Sequence, residues 1–513
     1  MVAHVTTVAF QGIEATPVDV QVQLMPGLPA FTIVGLPDKA VGESRERVKS
    51  ALAATGLSLP AKRVIINLAP ADLPKEGSHF DLPIALGVMM AMGALPSDAM
   101  DDYFVLGELS LDGKTEAVSG VLPAAMAANK QGRGLLCPKK SGAEAAWAGE
   151  DMDVLAPESL IQISNHINGS QVMTRPKAGM ADRMTTGIDL ADIKGQETAK
   201  RALEVAAAGG HNLLLIGPPG AGKSMLASRL PTILPPLAPQ ELLDVSMIAS
   251  IAGELENGHL SDARPFRTPH HSASMAAMVG GGMRAKPGEA ALAHNGVLFL
   301  DELPEFSPQV LDSLRQPLES GETIIARANH RVSYPSRFQL IAAMNPCRCG
   351  MAGEPGHTCR RGPRCVSDYQ GRISGPFLDR IDIRLEVPAV SALDLLEPGT
   401  AEKSAVVAER VANARAMQAA RAAKLDPQMV GKSLTNATTS PAMIEKIIEL
   451  DDPARAMLKM AAEKLTLSAR AYHRILKVAR TLADLEQSEN VARLHIAEAI
   501  SYRAISASSA LAA

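Results

Sequence analysis

Between Val18 and Leu24 apolar and polar side chains alternate with a period of two, which predicts a half-buried strand. Arg45–Leu57 has the spacing of a helix, and Val64–Leu68 reads as a buried strand. Leu82–Leu95 is the longest strongly apolar stretch; it is too short to cross a bilayer and predicts a buried helix. Phe104–Leu111 reads as a strand that closes on an Asp112-Gly113 turn. Residues 1–167 therefore read as one α+β unit. From 168 to 187 the chain turns to Gly, Ser, Pro and Lys with no apolar period, the composition of a linker. A different pattern governs 188–387. Unbroken apolar runs such as Leu213–Ile216, Val297–Leu300 and Phe338–Met344 suit parallel strands buried on both faces. After Pro388 apolar residues recur at helical spacing, as over Leu467–Leu485 and Val491–Ile505, so 388–513 reads as a helical lid. The expected fold class is α/β, with an α+β unit in front and a helical lid behind.

Chemistry gathers where the apolar runs end. Leu213–Ile216 is followed by Gly217-Pro218-Pro219-Gly220-Ala221-Gly222-Lys223-Ser224, and Met225–Leu230 reads as the next helix. This strand, loop and helix form a P-loop. Its glycines let backbone N–H groups close on phosphate oxygens, Lys223 brings a cation to the β and γ phosphates, and Ser224 brings a hydroxyl to Mg²⁺. Val297–Leu300 ends in Asp301-Glu302, suited to holding Mg²⁺ through water and to polarising an attacking water. Phe338–Met344 ends in Asn345, a candidate for orienting water or the γ-phosphate. Gly371–Asp382 carries Arg380, far along the chain from the P-loop; that suits an arginine finger acting on a neighbouring subunit, or else an ion pair with Asp379 or Asp382.

The order of these elements resembles the AAA+ superfamily. Asp192–Gln196, Arg264–His271, Gly280–Gly282, Pro287–Glu289 and Leu300–Phe306 sharpen the match. Over residues 1 to about 505 the chain resembles the YifB/ComM family of magnesium-chelatase-like ATPases. The resemblance implies ATP and Mg²⁺ as cofactors, and a homo-oligomeric ring, usually a hexamer, with ATP sites at subunit boundaries. It assigns Arg470, which otherwise reads as a surface helix charge, to sensing the γ-phosphate from the lid. The family's competence-associated member is a helicase, so DNA is the implied partner and branch migration in recombination the implied activity. Thr268–Glu289, with His270, His271, Arg284 and Lys286, corresponds to an insert that projects into the ring pore. Thr323–Tyr334, with Arg327, Asn329, His330 and Arg331, is a second pore candidate; for both, solvated loops remain the alternative.

Lys75–Ile84, Gly107–Gly113 and Val118–Pro123 resemble the Lon protease domain. That match places His79 where the nucleophilic serine belongs and Leu122 where its lysine partner belongs, implying a Lon-like domain without proteolysis.

Cys347, Cys349, Cys359 and Cys365 lie within one loop directly after Asn345, with His357 among them. Four thiolates suit a tetrahedral Zn²⁺, and reduced thiols are the alternative. Arg348, Arg360, Arg361 and Arg364 crowd the same loop. Cys137, alone after an apolar run, reads as a core residue. The 513 residues suffice for three or four domains, and with aromatics at 3% the cores are mainly aliphatic. A net charge of −4 argues against a uniformly basic coat without excluding a basic channel. The first residues carry neither the basic nor the apolar stretch of a signal peptide, and the cysteine cluster suits a reducing compartment, so the expectation is a cytoplasmic protein with no membrane partner. A magnesium-chelatase ATPase subunit, an ATP-dependent protease and an ATP-gated scaffold are the rival readings.

Overall fold

A computed structural model describes residues 2–181, 187–282, 285–326, 331–352, 359, 362, 364–390, 401–426 and 434–503. In chain order its strands are β1 Val2–Gln11, β2 Glu14–Met25, β3 Ala30–Val34, β4 Arg63–Ala69, β5 Tyr103–Val105, β6 Glu108–Leu109, β7 Thr115–Glu116, β8 Gly134–Leu136 and β9 Val154–Leu155. They continue with β10 Leu213–Ile216, β11 Phe266–Arg267, β12 Val297–Leu300, β13 Glu322–Ala326, β14 Arg331–Pro335, β15 Gln339–Met344 and β16 Ile383–Glu386.

The first sheet is mixed, in the order β3-β4-β2-β1-β5-β8-β9. The alternation at Val18–Leu24 is the inner part of β2, whose Val18, Val20 and Val22 are fully buried. The helix Asp81–Ala91 is buried along nearly its whole length, as its uninterrupted apolar run requires. The strand expected over Phe104–Leu111 is two strands in two sheets. A Cβ on Gly107 would lie 2.9 Å from Leu82 Cδ2, and Gly107 N–H donates to His79 O while its carbonyl accepts from Leu82 N. The backbone at Gly107 is thus spent on the neighbouring helix start, and β6 turns away to pair with β7 across the expected Asp112-Gly113 turn. The described part of the polar stretch 168–187 lies on the fold: Trp147 Nε1 donates to Gly179 O at 3.1 Å, and Ala181 N to Leu260 O at 2.8 Å.

The second sheet is parallel throughout, in the order β11-β12-β15-β10-β16. Its middle strands β12, β15 and β10 are buried at every position, which explains their unbroken apolar runs. Helices Glu197–Gly209 and Lys223–Ile233 cover one face, and Ser404–Leu425 and Ala469–Leu485 pack against them. Residues 401–503 are helical over most of their described length, with Asp452–Lys464 and Arg493–Ser501 completing the layer. Among the described residues no helix is long and apolar enough to cross a membrane.

The two sheets meet through specific contacts. Glu144, buried, accepts from Leu122 N at 2.8 Å and from Ser250 Oγ at 2.5 Å on the helix Pro239–Ala252. Burial pushes the Glu144 carboxyl above its ordinary range, against these two hydrogen bonds. Ile13, in the β1–β2 turn, joins Ile248, Ile325, Val332 and Tyr334 in a small core beneath the β13–β14 hairpin.

Candidate nucleotide site

Parallel strands deliver their C-terminal ends to one edge, and the polar residues that follow β10, β12 and β15 meet there. Gly217 is required by packing, since a Cβ would come 2.1 Å from Val387 O. Gly220 and Gly222 have φ of 80° and 84° with open space around them, the left-handed backbone by which a phosphate loop can curl back on itself. Lys223, first residue of its helix, is buried and donates from Nζ to Gly217 O at 2.7 Å, Pro218 O at 2.8 Å and Asn345 Oδ1 at 3.2 Å. Burial lowers its pKa, and the charge of Asp301 partly offsets this.

Ser224 Oγ donates to Asp301 Oδ2 at 2.6 Å, so the hydroxyl and the carboxylate assigned to Mg²⁺ already face each other. Glu302 sits in the left-handed region at φ 50°, a strained position for a side chain with Cβ and one typical of functional strand ends. Its carboxylate lies 3.6 Å from His271 Nδ1 and is exposed, while His270 bonds to Ser272 Oγ at 2.8 Å. Beside the loop, Gln196, Glu197, Glu386, Pro388 and Val390 line a cavity of about 280 Å³, with Gln196 Nε2 donating to Pro388 O at 2.7 Å. The residues fit a nucleoside triphosphate with Mg²⁺: a basic group behind the loop, an uncrowded glycine loop leading into a helix N-terminus, and a hydroxyl–carboxylate pair at its rim.

Arg380 is not in this group. Leu213 pairs with Ile383 and Ile216 with Glu386, so β10 and β16 are in step. The P-loop leaves the C-terminal end of β10, whereas Arg380 precedes the N-terminal end of β16, and its carbonyl accepts from Asn212 Nδ2 at 2.8 Å. A four-residue strand separates the two by roughly 13 Å of sheet. Neither Asp379 nor Asp382 pairs with it: Arg380 Nη2 donates to Glu319 Oε2 at 2.7 Å and Nη1 to Pro376 O at 2.7 Å. Arg470, at the start of the helix Ala469–Leu485, lies 3.7 Å from the other oxygen of Glu319. Asp382 instead takes Arg474 Nη1 at 2.5 Å and Asn212 N at 3.1 Å, with His211 Nδ1 at 3.6 Å, an electrostatic approach and not a hydrogen bond. Burial alone would raise its pKa, but these cationic and N–H partners hold it well below the usual carboxylate range.

Three of the four clustered cysteines converge. Cys347 Sγ and Cys349 Sγ are 3.0 Å apart, Cys349 Sγ and Cys359 Sγ 3.3 Å, and the three lie within 4.8 Å of one another. Cys365, buried at the start of the helix Arg364–Gln370, is not in that group, and His357, Arg360 and Arg361 lie outside the described residues. Gly350, between the cysteines, abuts the P-loop: a Cβ there would fall 2.7 Å from Pro219. Cys137 is fully buried, as its apolar context predicts.

The two loops singled out by their basic residues are neighbours. Tyr334 Oη on β14 donates to Ala285 O at 2.9 Å, and Gly280 packs on Ile325 of β13. Lys286 and Arg331 are exposed on this pair; Arg284, Arg327, Asn329 and His330 lie outside the described residues.

In the first sheet, Ser78 Oγ donates to Glu108, Lys75 Nζ donates to Pro70 O, and His79 Nε2 meets Val8 O at 2.9 Å in full burial. Among the described residues no hydrogen bond joins Ser78 to a lysine or histidine. Burial pushes the His79 pKa down to about 4.

Sequence reasoning missed Glu319, Asp382 as a lid anchor, and the contact of Gly350 with the P-loop. Glu319 lies 61 residues from Arg380, so no local pattern links them. Comparison with known proteins adds to the geometry. Models of "Magnesium chelatase, subunit ChlI", "Subunit ChlI of Mg-chelatase" and "Magnesium chelatase, subunit ChlI C-terminal" match residues 189–395, 20–141 and 401–503. The competence protein ComM of Haemophilus influenzae is 45% identical over 97% of this chain and 96% of its own length. The chain belongs to the YifB/ComM family of magnesium-chelatase-like AAA+ ATPases. Another YifB/ComM relative, the uncharacterized protein YifB of Escherichia coli, is 44% identical over 98% of the chain and 97% of its own length. The magnesium-chelatase 38 kDa subunit of Cereibacter sphaeroides is 23% identical over 59% of the chain.

Proposed function

We propose that this AAA+ ATPase assembles into a ring, read as a hexamer, that hydrolyses ATP to move along DNA and promotes branch migration during homologous recombination. The observation that carries the reading is the separation of Arg380 from its own P-loop by the length of β16, with Arg470 gathered beside Arg380 at Glu319. A site with Lys223, Ser224, Asp301, Glu302 and Asn345 but without its arginines is half of a phosphoryl-transfer site, and a second protomer supplies the other half. We read the chain as an N-terminal unit at 1–167, a linker at 168–187, the ATPase core at 188–387 and the lid at 388–513.

ATP and Mg²⁺ supply the transferable phosphoryl group and the charge that screens it. Lys223 holds the phosphate end and Asn345 steadies the ammonium. Ser224 and Asp301 hold the metal, and Glu302 orients water and takes up its proton. Arg380 and Arg470 of the adjacent protomer stabilise the charge that develops in the transition state. Lid movement is transmitted through Arg474 to Asp382, two residues beyond Arg380. The basic loops, Thr268–Glu289 and the β13–β14 hairpin, neighbours through Tyr334 and Ala285, would follow a phosphate backbone without reading bases.

The three-cysteine cluster supports a Zn²⁺ site: its sulfurs, 3.0 and 3.3 Å apart in two pairs, need open only slightly to the roughly 3.8 Å spacing of thiolates held on one metal ion. Cys365 or His357 is the candidate fourth ligand. Ser78, Lys75 and His79 are engaged elsewhere, which supports a Lon-like unit without proteolysis. A cytoplasmic location follows from the DNA partner.

Purified full-length protein should migrate a synthetic four-way junction only with ATP and Mg²⁺, and Lys223→Ala should abolish the activity. ATP turnover indifferent to DNA, or a protein that stays a single protomer with nucleotide and DNA present, would refute the reading.

A further inference from the structure

We infer that Glu319 is a positioning residue of the hydrolysis reaction: it bridges the core arginine and the lid arginine so that both reach a neighbour's phosphate as one unit. The inference rests on the proposed role of Arg380 and Arg470 in a neighbouring site. Glu319 Oε2 accepts from Arg380 Nη2 at 2.7 Å, and Oε1 stands 3.7 Å from Arg470 Nη2. Two guanidinium groups, one from each side of the core–lid boundary, thus share one carboxylate.

The three side chains differ in exposure in a way that suits this task. Arg380 is 10% exposed and fixed on its other side by Pro376 O, whereas Glu319 is 62% and Arg470 64% exposed. Arg380 is therefore preset, and Arg470 is the exposed partner that Glu319 recruits. Without the carboxylate the two cations repel and Arg470 has no tether to the core. With it, the group keeps one net positive charge and an open face, which a terminal phosphate of a neighbouring nucleotide can occupy. Glu319 also sits in the last turn of the short helix Arg315–Ser320, where a carboxylate opposes the helix dipole, so the local backbone gives no reason for its presence.

The test uses mixtures of full-length variants. Lys223→Ala protomers lack a working P-loop but can donate arginines; Arg380→Ala protomers keep the P-loop and need them. Each is expected to be inactive alone, and the mixture to recover ATPase activity at the hybrid interfaces. Adding Glu319→Gln to the Lys223→Ala protomer should lower the recovered kcat about tenfold, with KM for ATP nearly constant, because the residue does not touch the P-loop. The loss should be several-fold larger than when the same change is carried by the Arg380→Ala protomer. Failure of the mixture to recover activity overturns the shared-site reading and this inference with it. Recovery with equal loss from either protomer, or a rise in KM at constant kcat, overturns the role of Glu319 alone.

Discussion

The two sheets carry similar polar residues in opposite states. At the C-terminal edge of the parallel sheet, Lys223, Ser224, Asp301, Glu302 and Asn345 meet around an open loop; Lys223 is buried behind it, Asp301 and Asn345 are half-buried, and Ser224 and Glu302 are exposed. Around the helix start Asp81–Ala91 in the mixed sheet, Lys75, Ser78, His79 and Asp81 are each engaged within the fold. Asp81 is fully buried and paired with Arg47, whose Nη2 donates to it at 3.0 Å. Reactive residue types are thus not enough. Where parallel strands end together, polar groups are presented outward; where one segment threads between a helix and a sheet, the same groups are used up as structure.

Substitutions should separate the two regions. The largest effects fall on the parallel sheet. Lys223→Ala or Glu302→Gln is expected to lower ATP turnover at least a hundredfold with little change in melting temperature, measured by steady-state hydrolysis and calorimetry. In the mixed sheet, Asp81→Ala removes the buried carboxylate that takes Arg47 Nη2, leaving the guanidinium the more distant Glu43 as its ion-pair partner. It should cost about 3 kcal/mol in denaturant unfolding while sparing the turnover of the protein that remains folded. An equal loss of kcat in folded Asp81→Ala protein would erase the contrast.

Effects of intermediate size come from the cysteine loop. Gly350 touches Pro219, so if the proposed Zn²⁺ site is filled, removal of the metal by a chelator, or Cys347→Ser, should raise KM for ATP a few-fold more than it changes kcat. Metal content measured by mass spectrometry should fall in parallel.

The remaining effect is a pH dependence in the mixed sheet. The His79 pKa is about 4 in the folded chain against 6.5 in its unfolded reference, so the unfolded state binds the extra proton between these values. Stability contributed by neutral His79 is complete above about pH 6.5 and is lost as pH falls toward 4, up to about 3 kcal/mol. His294, in the parallel sheet's unit, is lowered to about 4 by burial and by Arg337, and adds in the same direction. The melting temperature should therefore drop between pH 7 and pH 5, and His79→Asn should flatten but not remove that slope. An unchanged slope would mean that His79 takes up a proton without unfolding.

Much of this molecule is local. Leu213–Ile216 and Val297–Leu300 had to be central strands because no solvent-facing position interrupts them, and the P-loop announces itself because phosphate binding demands glycines at fixed spacing beside a lysine. Val18–Leu24 is likewise a strand by its alternation alone. Phe104–Leu111 shows the limit: its apolar pattern is continuous, yet Gly107 gives its backbone to His79 and Leu82, and the strand divides. Likewise, Arg380 had acidic neighbours at 379 and 382, but the chain crossing brings in Glu319 and sends Asp382 to Arg474. Strand, helix and phosphate loop follow from short-range sterics and periodicity, which the order of residues contains. Which charges meet depends on where distant segments cross, so the shared carboxylate of Glu319, the contact of Gly350 with the P-loop and the pairing of the two basic loops belonged to the tertiary structure alone.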